Sequence, residues 1–350
     1  MHNFNNFDNI SMVVHGPEPF DTGYIHHVIR KIRPEKVVVA GVMARTAAEE
    51  SGIDCQCTGI PPSQIAELKD RTKPAFLLNH AKSQETGLIF GNIIAERIGE
   101  ETGLIQVECA DRSVILWNKG DIAVAEYLSE QLTYRFCKKQ SEYSVIPGTR
   151  EIRGCRPGEP VFINGIIIGY ANAETVVLSE ERGEVIAVSG LLSKPHGFEK
   201  LRRNGPLDIT SAWCKSGTIR SKSPAKSSIK CKSGHIVIID HAGCELYEKT
   251  GPETCGLLSI GDDTTAVCGH IGSHLGIPVF GVTDGDADTI LKPSYPKDSV
   301  VIEVINCRDD ETGAEIAAGL ETDRQYTWSL WVKETLRNLK DEVKVVVDTR

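Results

Sequence analysis

The amino-acid sequence predicts an α/β protein in three parts: an N-terminal doubly wound parallel sheet, a small β-rich middle module, and a second α/β domain at the C-terminus. Three observations carry this. Apolar strand-like runs alternate with helical stretches over residues 11–136, which implies parallel βαβ units with right-handed crossovers. Between residues 150 and 190 helical periodicity disappears, and short β-branched runs broken by glycine replace it. After residue 235 the alternation resumes. At 350 residues the chain exceeds the usual size of one compact domain, so more than one core is expected.

In the first part, residues 1–145, SMVV (11–14) reads as a strand, 21–33 as a helix, KVVVA (36–40) as a strand and 44–50 as a helix. PAFLL (74–78), a helix running to Ile98, LIQVE (104–108), VILW (114–117) and a helix through AVAEYLSEQL (123–132) complete it. The module, residues 146–214, holds PVFINGIIIG, ETVVLS and EVIAVS, with a turn at Glu181-Arg182-Gly183. Residues 215–234, KSGTIRSKSPAKSSIKCKSG, are rich in Ser and Lys with one proline and no acid, and are read as a basic flexible loop. The last part, 235–350, offers HIVII, GLLSI, PVFGV and VVIEV as buried strands and TTAVCGHIGSHLG as a helix. A closing helix over 324–340 places Trp328, Val332, Leu336 and Leu339 on one face.

Hydrophobic residues make up 40% and charged residues 25% of the chain, which excludes disordered and membrane-embedded classes. No apolar run approaches the roughly 20 residues that cross a bilayer. MHNFNNFDNIS has no basic stretch followed by an apolar one, so a cytoplasmic location with no membrane partner is expected. Eleven cysteines without CxxC pairs argue against a disulfide framework. Cys55 and Cys57 form the only close pair, and no second pair follows at zinc-ribbon spacing. A net charge of −9 opposes indiscriminate nucleic-acid binding. Yet Lys194 to Lys232 holds ten Lys or Arg against Glu199 and Asp208. This stretch, Lys215 to Lys232 above all, is either a solvated linker or a surface that neutralises phosphates of a nucleotide or nucleic acid. For stacking on bases only Phe198 and Trp213 lie nearby.

Ligands of open parallel sheets bind outside the carboxyl ends of the strands. Three successive C-terminal strands end in acid: HIVII runs into Asp240-His241, GLLSI into Gly261-Asp262-Asp263, and PVFGVT into Asp284-Gly285-Asp286-Ala287-Asp288. Two carboxylates about 5 Å apart repel by roughly 3 kcal/mol at an effective dielectric of about 20, so adjacent strands would call for a cation, or for carboxyls that are protonated or point to water. Oxygen-only ligands suit Mg²⁺ or Mn²⁺, held by Asp262, Asp263, Asp284, Asp286 and Asp288. Asp240 and His241 would then orient ligands or act as base. The plainer alternative makes these aspartates turn and helix-start residues. His270 and His274, four apart on the following helix, share a face that suits either a metal or packing on the sheet.

The string PVFGVTDGDAD resembles the Toprim signature, a strand ending in Asp-x-Asp-x-Asp that binds Mg²⁺ for phosphoryl transfer or phosphodiester cleavage, here Asp284, Asp286 and Asp288. It departs from that signature in having Asp240 rather than glutamate at the first strand end, and Thr289 where glycine often follows. The resemblance implies a Toprim-like C-terminal domain, with a Rossmann-like one as the alternative. More widely, HGPEPFDTG, AGVMARTA and SIGDDTTAVCGHIGSHLGIPVFGVTDGDAD resemble an uncharacterised protein family of methanogenic archaea with no assigned activity.

The N-terminal sheet has its own polar strand ends: His15-Gly16-Pro17-Glu18, Gly41 to Thr46, and Asn79-His80-Ala81-Lys82-Ser83. Main-chain amides and Arg45 at a helix start suit an anion, so His15, Gly16, Gly41, Arg45 and His80 form a candidate cofactor crevice. AGVMARTA has too few glycines for a P-loop or dinucleotide fingerprint. Together these features point to a Mg²⁺- or Mn²⁺-dependent phosphoryl-transfer or phosphoester-hydrolysing enzyme acting on a nucleotide or phosphorylated small molecule. The alternatives are a non-enzymatic sensor or carrier and a Toprim-like nucleic-acid processing protein.

Overall fold

The computed structural model describes residues 9–58, 74–142, 148–203, 205–210, 212, 214–285, 290–305, 307–321 and 324–350. The chain is a mixed α/β protein that divides into two compact units, Met1–Gly217 and Thr218–Arg350.

The first unit contains a seven-stranded sheet. Strands β1 (Ser11–Val14), β2 (Lys36–Ala40), β3 (Gln56–Thr58), β4 (Ala75–Asn79), β5 (Leu104–Glu108), β6 (Ser113–Trp117) and β7 (Arg135–Lys139) lie in the order β3-β2-β1-β4-β5-β6-β7. Helices α1 (Glu18–Asp21), α2 (Tyr24–Ile32), α3 (Val42–Glu50), α4 (Gln84–Ile98) and α5 (Ile122–Leu132) connect them. Side chains alternate across a strand. Met12, Val14, Phe76, Leu78 and Val107 therefore pack with residues of α2, α3 and α5, whereas Val13, Ala75, Leu77 and Leu104 pack with Ile94 and Ala95 of α4. With both faces covered, the strands read as continuous apolar runs.

The sheet departs from the expected all-parallel arrangement at one place. β1 to β5 are parallel, but β6 runs antiparallel to β5. Only Cys109-Ala110-Asp111-Arg112 joins the two, with Arg112 at φ 55°. A parallel crossover needs a dozen or more residues, so this link permits only a hairpin. The chain runs from β1 outward through β2 and β3, then returns to place β4 on the other side of β1. Strand order thus reverses between β1 and β4, the place where open α/β sheets bind ligands beyond the carboxyl ends of their strands.

The β-rich module belongs to the same unit. It consists of two antiparallel sheets, β12-β11-β8 and β13-β10-β9-β14. Their strands are β8 (Thr149–Arg153), β9 (Pro160–Ile163), β10 (Ile166–Ala171), β11 (Thr175–Glu181), β12 (Glu184–Ser189), β13 (Leu191–Ser193) and β14 (Cys214–Ser216), with α6 (Pro195–Arg203) before β14. Ile152, Val176 and Leu178 of one sheet share a core with Val161, Ile163 and Ile168 of the other, joined by Leu201 of α6.

The stretch 215–234 is not a free linker. Lys215 lies in β14, paired with Phe162 of β9. Beyond the unit boundary Arg220 is only 2% exposed and its main chain bridges Leu291, while Ser227 and Lys230 donate N–H bonds to Ser273 and Gly276. Composition reports polarity but not main-chain bonding, which is why this anchoring was hidden. Lys222, Lys226, Lys230 and Lys232 are exposed.

The second unit is a six-stranded sheet in the order β19-β15-β16-β17-β18-β20. Strands β15 (Ser233–Asp240), β16 (Thr254–Ile260), β17 (Val279–Thr283) and β18 (Val300–Val304) are parallel and adjacent in sequence order, and β19 (Tyr326–Thr327) and β20 (Val343–Asp348) are antiparallel at the edges. The helices are α7 (Leu246–Lys249), α8 (Asp262–Leu275), α9 (Asp309–Ala318) and α10 (Trp328–Leu339). Trp328, Val332 and Leu339 of α10 pack on Cys255, Leu258, Phe280 and Ile302, as the expected apolar face requires. No helix among the described residues is long and apolar enough to cross a membrane.

Candidate functional site

The four parallel strands of the second unit end level with one another, Asp240 opposite Ile260 and Ile260 opposite Val282. Their following residues therefore share one edge. Asp262 after β16, Asp284 after β17 and Asp309 after β18 each place a carboxylate oxygen within 4.8 Å of the others. Beside them Asp240, His241 and Asp310 form a second such group. Asp284 donates its main-chain N–H to Asp262 Oδ2 at 3.0 Å, which ties the end of β17 to the start of α8. Acids at helix N-termini are often explained by the macrodipole alone. Here they converge from three strands on one point, which the dipole does not require.

The electrostatics follow from this crowding. Burial, then the charges of Asp284 and Asp310, raise the Asp309 carboxyl above its ordinary range, with the Asp310 N–H and His241 pulling it back down. Tyr295, in the loop before β18, has its phenol pushed up to about 12 by burial and the charge of Asp262. His241 adopts a left-handed φ of 50°. Its Nδ1–H donates to Asp240 at 2.6 Å, and its Nε2 lies 3.6 Å from Asp310. The ring lies close over Gly261, where an added Cβ would stand 3.0 Å from Nε2.

Of the metal ligands expected from sequence, Asp262 and Asp284 meet. Asp263, also in the first turn of α8, is in neither group, and Asp286 and Asp288 lie outside the described residues. His270 and His274 belong to no group of three or more metal-capable side chains among the described residues. His270 is buried, and its Nε2 accepts a bond from Arg220 Nη1 at 3.1 Å, since a guanidinium can only donate. Asp309 and Asp310 were missed, although VVIEV had been read as a strand. The signal was available: GLLSI is followed by an Asp-Asp helix start, and so is VVIEV.

The first unit presents a second polar site at the switch point. His15 follows β1, and Asn79 and His80 close and follow β4. His15 Nδ1 bonds Asn79 Oδ1 at 2.8 Å, and its ring stacks on Phe90 at 4.1 Å. Burial lowers its pKa to about 4, against the opposing Asn79 bond and reinforced by the charge of Lys215. Behind it runs a buried polar chain. Asn79 Nδ2 donates to Glu108 Oε2 at 2.6 Å, and Gln106 Nε2 to the same oxygen at 3.2 Å. The other carboxylate oxygen accepts the N–H groups of Ala81 and Ala110. Trp117 Nε1 donates to Gln106 Oε1 at 2.9 Å. Gly87 and Gly91, one turn apart on α4, make room for this chain; a Cβ on either would strike Glu108 or Gln106.

Gly16 has φ 73°, and a Cβ there would fall 2.5 Å from the Glu18 carboxylate. His80 packs its ring against Tyr24 at 5.3 Å. Gly41 and Arg45 follow β2, and Arg45 Nε bonds Glu49 along its own helix at 2.9 Å. Gln106, Glu108 and Trp117 are not singled out by the sequence, whereas Asn79 belongs to the expected polar strand ends and Lys215 to the expected basic stretch. Polar residues inside LIQVE, opposite glycines spaced by four in the preceding helix, were the readable sign. Of the cysteine pair, Cys57 is exposed, and burial and then Cys57 push the Cys55 thiol up to about 12, which disfavours a thiolate.

Comparison with known proteins gives a consistent placement. The pattern of a family described as "Uncharacterized protein conserved in archaea (DUF2117)" matches residues 12–324. The chain is 32% identical to an uncharacterized protein of Methanocaldococcus jannaschii, over 96% of each. No solved structure matches.

Proposed function

The chain belongs to this archaeal family, and from that footing we propose that it is a divalent-metal-dependent enzyme that transfers or hydrolyses a phosphoryl group on a nucleotide or phosphorylated small molecule. The observation that carries this reading is the convergence of Asp262, Asp284 and Asp309 from the ends of three adjacent parallel strands. All three donors are hard carboxylate oxygens, which fit Mg²⁺ or Mn²⁺ rather than a soft metal. Such an ion supplies charge stabilisation at a phosphoryl oxygen or an activated water. Asp240 fixes the His241 ring through Nδ1 and leaves Nε2 toward Asp310, a geometry suited to accepting a proton. The Toprim-like reading of this domain draws support from Asp284 at the end of β17, while Asp240 at the end of β15 stands where that signature has glutamate.

Calorimetric titration of Mn²⁺ and Mg²⁺ into the full chain is expected to show saturable binding, weakened at least about tenfold, or 1.4 kcal/mol, in Asp284→Asn and in Asp309→Asn. Equal binding by both variants would return the aspartates to a helix-start role. The metal-free proteins provide a second readout. A carboxyl whose folded pKa lies above its unfolded value binds more protons in the native state, so stability falls as pH rises from the ordinary carboxylate range through the raised value. Asp309→Asn is therefore expected to raise the melting temperature at neutral pH without metal, and to lose the further rise that Mn²⁺ gives the wild type. Turnover of a generic phosphoester with Mn²⁺ separates an enzyme from a carrier that only binds. Salt-sensitive retention on DNA, through Lys222, Lys226, Lys230 and Lys232, would instead support nucleic-acid processing.

A further inference from the structure

We propose that the crevice between β1 and β4 is a second ligand site, in which His15 Nε2 accepts a hydrogen bond from a hydroxyl or amine and the Lys215 ammonium pairs with an anionic group of the same small molecule.

The first argument is directional. An indole N–H can only donate, so the atom of Gln106 facing Trp117 is the oxygen, and its NH₂ faces Glu108 and the Gly87 carbonyl, both acceptors. The Glu108 carboxylate accepts throughout, so Asn79 turns its NH₂ toward it and its oxygen toward His15. That oxygen can only accept, so His15 carries its proton on Nδ1. Nε2 is left with a lone pair, on a ring held by Asn79 on one edge and Phe90 on one face. The protein has fixed which nitrogen is basic before any ligand arrives.

The second argument concerns Lys215. Cys214, its neighbour in β14, packs against the module core, so by alternation Lys215 points away from that core. It has no hydrogen bond or ion pair among the described residues. The charges around it are Glu18, Lys82 and Glu159. Of these, Lys82 and Glu159 are already paired to each other at 2.6 Å. Burial lowers the Lys215 pKa, and its charge reaches His15. Both side chains are closely surrounded yet keep some accessible surface, as in the wall of a crevice. The Glu18 charge favours the ammonium but is not bonded to it, and a ligand anion would supply a direct partner for a cation drawn part-way out of water. The position, at the reversal of strand order, is where open α/β sheets bind ligands. This site is independent of the aspartate cluster in the other unit.

The test uses the full chain labelled with ¹⁵N-histidine, with the His15 signals identified by His15→Gln. Long-range ¹H–¹⁵N spectra at neutral pH are expected to show His15 neutral and protonated at Nδ1. Titration with inorganic phosphate, and separately with acetate, is expected to shift the Nε2 signal saturably for at least one anion; which one responds assigns the site to phosphate or carboxylate ligands. Lys215→Met should weaken that response at least about tenfold with the tautomer unchanged, and Lys215→Gln serves if the first variant misfolds. A His15 protonated at Nε2, no response to either anion, or undiminished binding in the Lys215 variants would each overturn the proposal. Asp284→Asn should leave the response intact, so failure here is distinguishable from failure of the metal site.

Discussion

Replacing Glu108 with alanine is expected to destabilise the N-terminal unit by about 3 kcal/mol, through the cavity left behind and the buried donors that lose their acceptor. Asn79, Gln106 and Glu108 are 3%, 0% and 1% exposed, so water does not readily replace the lost bonds. Asn79 Nδ2 would lose its acceptor outright, while Gln106 Nε2 would keep the Gly87 carbonyl. Glu108→Gln separates shape from bonding. It preserves volume, but its NH₂ must face either the Asn79 and Gln106 amides or the N–H groups of Ala81 and Ala110, a donor against donors on either choice. A loss of about 1–3 kcal/mol is therefore expected even from this near-isostere. Urea unfolding followed through Trp117 would measure both. Variants within about 0.5 kcal/mol of wild type would mean that the chain of bonds leading to His15 contributes no rigidity.

The second large effect is expected at Gly256, in the middle of β16. A Cβ there would lie 2.0 Å from Cε3 of Trp328. The indole cannot easily withdraw, because its Nε1 donates to the Asp298 carbonyl at 2.7 Å and its ring stacks on Trp331 at 5.3 Å. Trp331 in turn meets Phe280 edge-on. Overpacking of a core at this level costs about 1–3 kcal/mol, and Gly256→Ala is expected at the upper end. A double-mutant cycle tests the cause: in a Trp328→Leu background the same substitution should cost much less. Undiminished cost there would assign the need for glycine to backbone geometry.

The order of strands and helices was legible because burial on both sheet faces leaves continuous apolar runs, as in LIQVE and PVFGV. The reversal of β6 was not legible from apolarity; it depends on the length of a four-residue link. The acidic edge was half legible. Asp262 and Asp284 stand beside their strands, whereas Asp309 comes five residues after β18 and joins them only because β18 lies next to β17. Of the crevice residues Asn79 was legible as a polar strand end, whereas Gln106 and Glu108 lie inside a run that looks like an ordinary strand. Lys215 was hidden for another reason: a lysine in a Ser/Lys-rich stretch has nothing local to mark it as lining a crevice.

The chain from Trp117 to His15 also has a consequence for how such a site can vary. Each side-chain amide in it is nearly symmetric in shape and would, in isolation, be free to turn over; the Glu108 carboxylate removes that freedom from Asn79, and the carboxylate and the Trp117 indole together remove it from Gln106. Trp117→Phe would leave the Gln106 oxygen without its donor, while Asn79 would keep the orientation that Glu108 gives it. The memory of where the His15 proton sits is thus kept by a buried carboxylate two residues removed from the ligand.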